Sequence, residues 1–335
     1  MEEDVKELAT NLHNLLVEGE LRKYLKDLAY ELQFRQERSY LAEAAEKTSR
    51  RVNPGENVLM VTGFRVPPNY IQETDGPLGT AVLYKALLKL GAFPVVVTEA
   101  AEESVRCIYS ALETLGFRPK VINGYEVPND LGREPTVIVA PPQKERGSQQ
   151  FLRNMWRYLN PAAVVFIEKP GPNTLGIYHS MGGLDITQYH IDAEILLKDL
   201  GRSAGVTIGI GDGGNEVGMG VVYEAVRKYV PYGSICRCPC RGGIATYLRT
   251  DFLVLGSNSN RGAYALAEVV MSLTGVGEPA VTPEEVLGML EAVTRSGCVD
   301  GFTGKRSVSV DGEDIESIVS FVERMNRLRN KVGFS

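Results

Sequence analysis

From residue 55 onward, short and nearly unbroken apolar runs alternate with stretches of helical periodicity. The runs cover residues 58–62, 95–98, 121–122, 137–140, 163–167, 206–210 and 252–255. A strand with one wet face alternates apolar and polar residues, whereas a strand that is apolar throughout has to be covered on both sides. Between the runs, apolar residues recur at helical spacing. Leu78, Val82, Leu83, Ala86 and Leu90 form one such face, which ends at Gly91 ahead of Pro94. Strands buried on both faces and separated by helices point to a parallel sheet between two helix layers. The expected fold class is therefore α/β, a three-layer α/β/α arrangement around a mostly parallel, doubly wound sheet. The tail from Thr282 adds a helix, a short strand at residues 307–310 and a final helix.

Residues 1–50 read differently. Leu8, Leu12, Leu15 and Leu16, then Leu21, Leu25, Leu28 and Leu32, recur at helical spacing among charged residues. Val52-Asn53-Pro54-Gly55 breaks the pattern. The chain divides there into an N-terminal helical extension at 1–50 and an α/β domain at 51–335. The extension has three conceivable uses: to cap the sheet, to cover a site, or to join copies of the chain into a homo-oligomer. Packing on the domain is the favoured one.

The 335 residues include 36 Lys or Arg and 42 Asp or Glu, a formal charge of −6. Affinity for nucleic acid comes mainly from neutralising phosphates, so no nucleic-acid partner is expected. No run approaches the roughly 18 apolar residues of a bilayer-spanning helix. The acidic, amphipathic N-terminus lacks the basic and apolar regions of a signal peptide. Five cysteines (Cys107, Cys236, Cys238, Cys240 and Cys298) in a chain of this length argue against a disulfide framework. The expectation is a cytoplasmic protein with reduced thiols that acts on a small molecule, away from membranes.

Four of the apolar runs lead directly into polar, Gly-rich or Pro-rich segments. These are Gly63-Phe64-Arg65-Val66-Pro67-Pro68 with Glu73-Thr74-Asp75-Gly76-Pro77, then Glu168-Lys169-Pro170-Gly171-Pro172, then residues 211–220, then Gly256-Ser257-Asn258-Ser259-Asn260-Arg261-Gly262. Ligands of open parallel sheets bind beyond the carboxyl ends of the strands, near a switch in strand order. All four segments should gather on one such rim.

Residues 209–220 are the most informative. Six glycines in twelve positions would be costly in a regular helix or strand and suit a backbone that turns sharply beside a ligand. With a helix starting near Glu216, the loop N–H groups would form an anion site. Asp212, Asn215 and Glu216 add polar groups that a bare turn does not need. The segment fits neither G-x-x-x-x-G-K-[ST] nor G-x-G-x-x-G with an acidic residue beyond it, which argues against nucleotide and dinucleotide sites. Asp75 reads as a cap for a helix with Pro77 in its first turn, which leaves Glu73 as the carboxylate with no structural excuse. His179 lies among polar groups with Tyr178 and Asp185; a lone loop histidine is more often surface, while His13 and His190 read as structural. Cys236-x-Cys238-x-Cys240 lacks the two separated pairs of a zinc signature. Alternation on a strand would put its sulfurs on one face, and an apolar pattern is the expected meaning.

At these residues the chain resembles the C-terminal domain of D-glutamate cyclase, a family long known as a domain of unknown function. The resemblance is carried by Thr62-Gly63-Phe64 through Pro68, Glu73-Thr74-Asp75-Gly76-Pro77, Ile167-Glu168-Lys169-Pro170-Gly171, Gly182-Gly183-Leu184-Asp185-Ile186, and residues 208–220 and 259–266. It implies a hydro-lyase of amino-acid metabolism, a carbon–oxygen lyase. The α-amine of D-glutamate attacks its own γ-carboxyl carbon, water leaves, and 5-oxo-D-proline forms. The partner is then a small dicarboxylic amino acid.

Such chemistry needs a base for the amine, donors for the oxyanion and a proton for the leaving hydroxyl. Asp212 and Glu216 are the candidates nearest the amine, with Glu168 as the second carboxylate. Substrate binding falls to Arg65, Lys169 and Arg261 as cations, to Glu73 and Asp75, to the backbone of Gly76, Gly211, Gly213 and Gly214, and to Asn215 and Asn260. No cofactor is required by the sequence. Should three of Asp75, Glu168, Asp185, Asp212 and Glu216 converge, their hard oxygens would suit Mg²⁺ or Mn²⁺. The rival readings are a non-catalytic binding protein for an amino acid or phosphorylated metabolite, and a phosphoryl-transfer enzyme, the latter disfavoured by the missing Gly-Lys-[Ser/Thr].

Overall fold

Three helices open the chain, α1 (Glu3–Leu16), α2 (Leu25–Arg35) and α3 (Tyr40–Arg51). They are followed by β1 (Asn57–Thr62), a small hairpin of β2 (Arg65–Val66) and β3 (Ile71–Gln72), α4 (Pro77–Lys89), β4 (Phe93–Glu99), α5 (Glu102–Thr114), β5 (Lys120–Asn123), β6 (Thr136–Ala140) and α6 (Ser148–Leu159). Then come β7 (Ala163–Ile167), β8 (Val206–Gly211), α7 (Tyr223–Tyr229), β9 (Phe252–Leu255), α8 (Ser259–Leu273), α9 (Pro283–Ser296), the hairpin β10 (Ser309–Val310) and β11 (Glu313–Asp314), and α10 (Ile315–Lys331). This computed structural model describes residues 3–18, 22–35, 40–123, 134–200 and 203–333; Leu21 of the helical pattern lies outside them.

Each of the seven apolar runs is a strand of one parallel sheet, ordered β5-β6-β4-β1-β7-β8-β9. Central β1 pairs with β4 on one side and β7 on the other, so Leu59 faces both Val95 and Val164. Successive side chains leave the sheet on opposite sides. Val58 and Met60 join the apolar layer that holds α4 and α8, and Leu59 and Val61 join the layer that holds Phe151 and Trp156 of α6. The winding runs outward from β1 through β4 and restarts through β7, β8 and β9. Its reversal, between β1 and β7, opens a crevice at their carboxyl ends.

Helix α8 is buried along nearly its whole length. It packs on α4 toward the sheet and on α1 and α3. Leu8, Leu12 and Leu16 of the N-terminal extension belong to the same apolar layer as α4 and α8. Helix α9 starts with a capping box between Thr282 and Glu285. Glu268 of α8 and Arg329 of α10 form a buried ion pair at 2.8 Å.

The thiol expectation needs one correction. The sulfurs of Cys107, in α5, and Cys298, just beyond α9, are bonded to each other. The two residues are 191 positions apart in sequence, and the packing of α5 against α9 that brings them together leaves no local trace. Among the described residues, no helix is long and apolar enough to cross a membrane.

Candidate functional site

The four polar segments do meet at the crevice. Asp75, beyond β1, Glu168, at the end of β7, and Asp212, at the end of β8, each offer an oxygen to one small cluster in which all these atoms lie within 4.8 Å of one another. All three side chains are buried. Glu168 adopts φ 43°, a left-handed conformation unusual for a side chain of this kind, and accepts a hydrogen bond from Ser259 Oγ at 2.6 Å.

Two helix starts, α4 and α8, hold the cluster in place by capping each other. The Asp75 carboxylate accepts the N–H groups of Ser259 and Asn260 at 2.7 and 2.8 Å. The Asn260 side-chain oxygen accepts those of Gly76 and Gly79 at 3.0 and 2.7 Å. Asp75 thus does cap a helix, but α8 and not the α4 that follows it in sequence. Gly76 is required where it stands. Its φ is 99°, and a Cβ would lie 3.0 Å from Thr62 Oγ1 and 3.1 Å from Glu168 Cβ.

Sequence reasoning missed two members of the site. Arg22, from the N-terminal extension, pairs with Asp212 at 2.6 Å and with Asp311, at the turn between β10 and β11, also at 2.6 Å. Arg22 is one of many charged residues in a leucine-patterned stretch, and nothing local singles it out. Asp311-Gly312 carries only the signal of a hairpin turn. Together with Glu73, Glu168 and Asp212 they line a cavity of ≈ 490 Å³ whose wall also includes Phe64, Met181 and Phe302.

Five carboxylates, Glu73, Asp75, Glu168, Asp212 and Asp311, thus surround one guanidinium. Burial, reinforced by Asp311, pushes Asp75 up to about 7. Burial raises Glu168 well above the usual range, with Asp212 and Glu216 adding to the effect. Asp212 is also raised by burial, against the pull of Arg22, and Glu73 is raised by burial and by Asp311. Burial works against the charge on Arg22, but Asp212 and Asp311 beside it hold its pKa well above the ordinary arginine value. Among the described residues, Glu73 Oε1 and Asp212 Oδ2 are buried without a hydrogen-bond partner. The arrangement is therefore short of positive charge, and it keeps protons on carboxylates near neutral pH.

Other expected site residues are engaged elsewhere. No helix begins at Glu216; a 3₁₀ turn starts at Met219 and α7 at Tyr223. The Gly-rich loop does form an anion site, but a residue of the chain fills it. The Glu216 carboxylate accepts the N–H of Gly213 at 2.9 Å and of Gly214 at 2.7 Å. Gly211 lies against the same side chain, and Asn215 donates to the His179 carbonyl at 2.7 Å. Lys169 is fully buried and paired with Glu99, which also meets His190; burial holds the Lys169 pKa well below its usual value. Arg65 pairs with Glu103 at 2.9 Å and lies over Tyr189. Arg261 pairs with Glu313 and, with Phe321, lines a second cavity that shares Arg22 with this one. Asp185 is exposed in a turn, where it accepts the Thr187 N–H at 2.9 Å, and so stands outside the carboxylate cluster. Asn260 is at the site as a cap, and Gly76 as the point of close approach.

The cysteines at 236, 238 and 240 are not on a strand, contrary to expectation. They lie in an irregular loop, and their sulfurs converge with the His179 ring within 4.8 Å of one another.

The family model described as D-glutamate cyclase-like, C-terminal, matches residues 12–326. Its span includes most of the N-terminal helices as well as the α/β core. A human protein named D-glutamate cyclase, mitochondrial, is 27% identical over 226 residues, which is 66% of this chain. The chain spans about a third of the length of that curated relative, 33% by alignment.

Proposed function

Because the chain belongs to the D-glutamate cyclase-like, C-terminal family, we propose that it cyclises D-glutamate to 5-oxo-D-proline in the crevice between β1 and β7. The observation that carries this reading is the convergence of Asp75, Glu168 and Asp212, with their oxygens within 4.8 Å of one another. On the way from ammonium to amide the nitrogen gives up two protons, and one γ-carboxylate oxygen takes up two to leave as water, so the reaction suits a set of carboxylates that exchange protons near neutral pH. Asp212, with one oxygen on Arg22 and the other unpartnered among the described residues, accepts a proton of the α-ammonium. Glu168, kept protonated by burial and by the neighbouring carboxylates, supplies the proton for the leaving hydroxyl. Arg22 faces the cavity and offers its charge to the developing oxyanion. Asp75 orients the cluster from beneath through α8.

A doubly carboxylated substrate meets repulsion in so acidic a cavity unless protons or a cation offset it. Three hard oxygen donors and the orphaned Asp212 Oδ2 fit a divalent ion. Asp75, Glu168 and Asp212 would hold Mg²⁺ or Mn²⁺, which when bound would supply positive charge toward the substrate carboxylates. The predicted ligands Asp185 and Glu216 are engaged elsewhere.

The test is an NMR time course of the EDTA-treated protein with D-glutamate, with L-glutamate as control, repeated with Mg²⁺ or Mn²⁺ added. 5-Oxoproline should form from the D isomer, and Asp212→Asn should slow it by at least about 10²-fold. A folded protein that shows saturable thermal stabilisation by D-glutamate but no turnover would replace the lyase with a binding role.

A further inference from the structure

We propose that His179, Cys236, Cys238 and Cys240 form a structural zinc site, separate from the carboxylate cluster. Cys236 Sγ lies 3.5 Å from Cys238 Sγ and 3.3 Å from Cys240 Sγ, and the latter two are 3.2 Å apart. His179 Nε2 lies 3.3 Å from Cys238 Sγ and 3.4 Å from Cys240 Sγ. Zinc bonds of about 2.3 Å to sulfur and about 2.0 Å to nitrogen set tetrahedral ligands roughly 3.5–3.8 Å from one another. Five of the six separations fall short of these values by roughly 0.1–0.6 Å, and the sixth, His179 to Cys236, lies within 4.8 Å. All four ligands come from the chain, so the site is closed, as structural zinc sites are and catalytic ones are not. Three soft thiolates and an imidazole select zinc over the hard ions that suit the carboxylates.

The surroundings fit thiolates. The Gly242 N–H and the Asn173 side-chain amide both donate to Cys240 Sγ, at 3.5 and 3.6 Å. The His179 carbonyl accepts from Asn215 of the Gly-rich loop, which fixes the ligand's backbone. Outer contacts of this kind orient metal ligands. The C-x-C-x-C spacing works because the chain here is not extended. A turn in which the Arg241 N–H donates to the Cys238 carbonyl at 3.3 Å folds it back on itself.

The fold also has a use for such an ion. From Val230 to Asp251, between α7 and β9, the chain forms no helix or strand, yet Cys236, Ile244, Ala245, Thr246 and Leu248 are buried. A loop of this length is uncommon without something to hold it. The turn that begins at His179 carries Ser180, Met181, Gly182 and Leu184, all in the wall of the 490 Å³ cavity. Gly183 of that turn accepts the N–H groups of Arg237 and Cys238 at 3.0 and 3.1 Å. Zinc would clamp the irregular loop to the cavity wall, and its binding would displace the protons of the three thiols.

The test begins with elemental analysis of the whole chain, produced with zinc in the medium and purified without chelators. About one zinc per chain is expected. Cys238→Ser and Cys240→Ser should each lose it, whereas Asp212→Asn should keep it. Cobalt substituted into the wild type should show thiolate-to-metal charge-transfer bands and the visible bands of a tetrahedral ion. That readout sees sulfur ligation alone, so it is blind to any ion on the carboxylates and informative even if a cysteine variant fails to fold. A zinc-free wild type without thiolate–cobalt bands, full zinc retention in the Cys238→Ser/Cys240→Ser double variant, or stoichiometric iron in place of zinc would each overturn the assignment.

Discussion

Glu216 and Glu168 are both acidic residues close to the end of an apolar strand, and they illustrate how far a residue's role depends on its neighbours. Glu216 accepts two backbone N–H groups, while Glu168 shares its cluster with Asp75 and Asp212. Glu216→Gln would turn an amide NH₂ toward one of those N–H groups and leave a buried donor unpaired, at a cost of about 1–3 kcal/mol. Urea unfolding should show that loss, with turnover per folded molecule far less affected than in Asp212→Asn. The polar segments of the crevice were legible because polar residues directly after buried strands have few other reasons to be there. Which carboxylate joins the cluster and which one holds a loop was not, because that depends on which N–H groups each one reaches. The raised carboxylates also set a pH dependence. A group such as Asp75, at about 7 when folded and near 4 when unfolded, binds its proton more tightly in the native state. Its stabilising contribution is full below pH 4 and disappears as pH rises through 7. In EDTA, stability should therefore fall between about pH 5 and 7, by up to roughly 1.4 kcal/mol per pH unit for each such group. Mg²⁺ or Mn²⁺ should flatten that slope, and thermal melts across the range will read both effects.

At the level of elements, the mutual caps of α4 and α8 tie the two sides of the crevice together. Asn260→Ala would strip the Gly76 and Gly79 N–H groups of their acceptor and should cost about 2 kcal/mol. It should also lower activity, because Asp75 rides on the same joint. Thr282→Ala, at the remote start of α9, should cost about 1 kcal/mol and leave turnover per folded molecule unchanged. Chemical denaturation and rates measured on the two variants separate a cap that serves the site from one that serves only its helix. All seven sheet strands could be read from the sequence because burial on both faces leaves an unbroken apolar run. The hairpins β2–β3 and β10–β11 are a different case. Their two-residue strands are too short to carry a period, although residues 307–310 did signal β10. The cysteine triplet misled for a related reason: alternation means one face only on an extended chain, and this segment is folded back.

For the molecule as a whole, the segment between α1 and α2 reaches the carboxylate cluster, where Arg22 joins Asp212 and Asp311. Arg22→Met would leave Asp212 and Asp311 buried without their partner, at a cost of about 3 kcal/mol at pH 7. The penalty should shrink at pH 5, where both acids take up protons more readily, and denaturation at the two pH values will show it. The sequence marked residues 1–50 as helical and packed, yet a pairing across the length of the chain leaves no mark on either partner's neighbourhood. The same is true of the bonded sulfurs of Cys107 and Cys298. The Arg22–Asp311 pair, whose partners are 289 residues apart, also has a consequence in time. A ribosome adding about 5–20 residues per second delivers Asp311 roughly 15–60 s after Arg22. Through that interval the nascent chain has the guanidinium of the site and, later, most of the acids around it, but not the hairpin that closes them together. Until Asp311 is made, Asp212 lacks the hairpin that shares Arg22 with it, so the carboxylate site is assembled only after the β10–β11 turn has been synthesised.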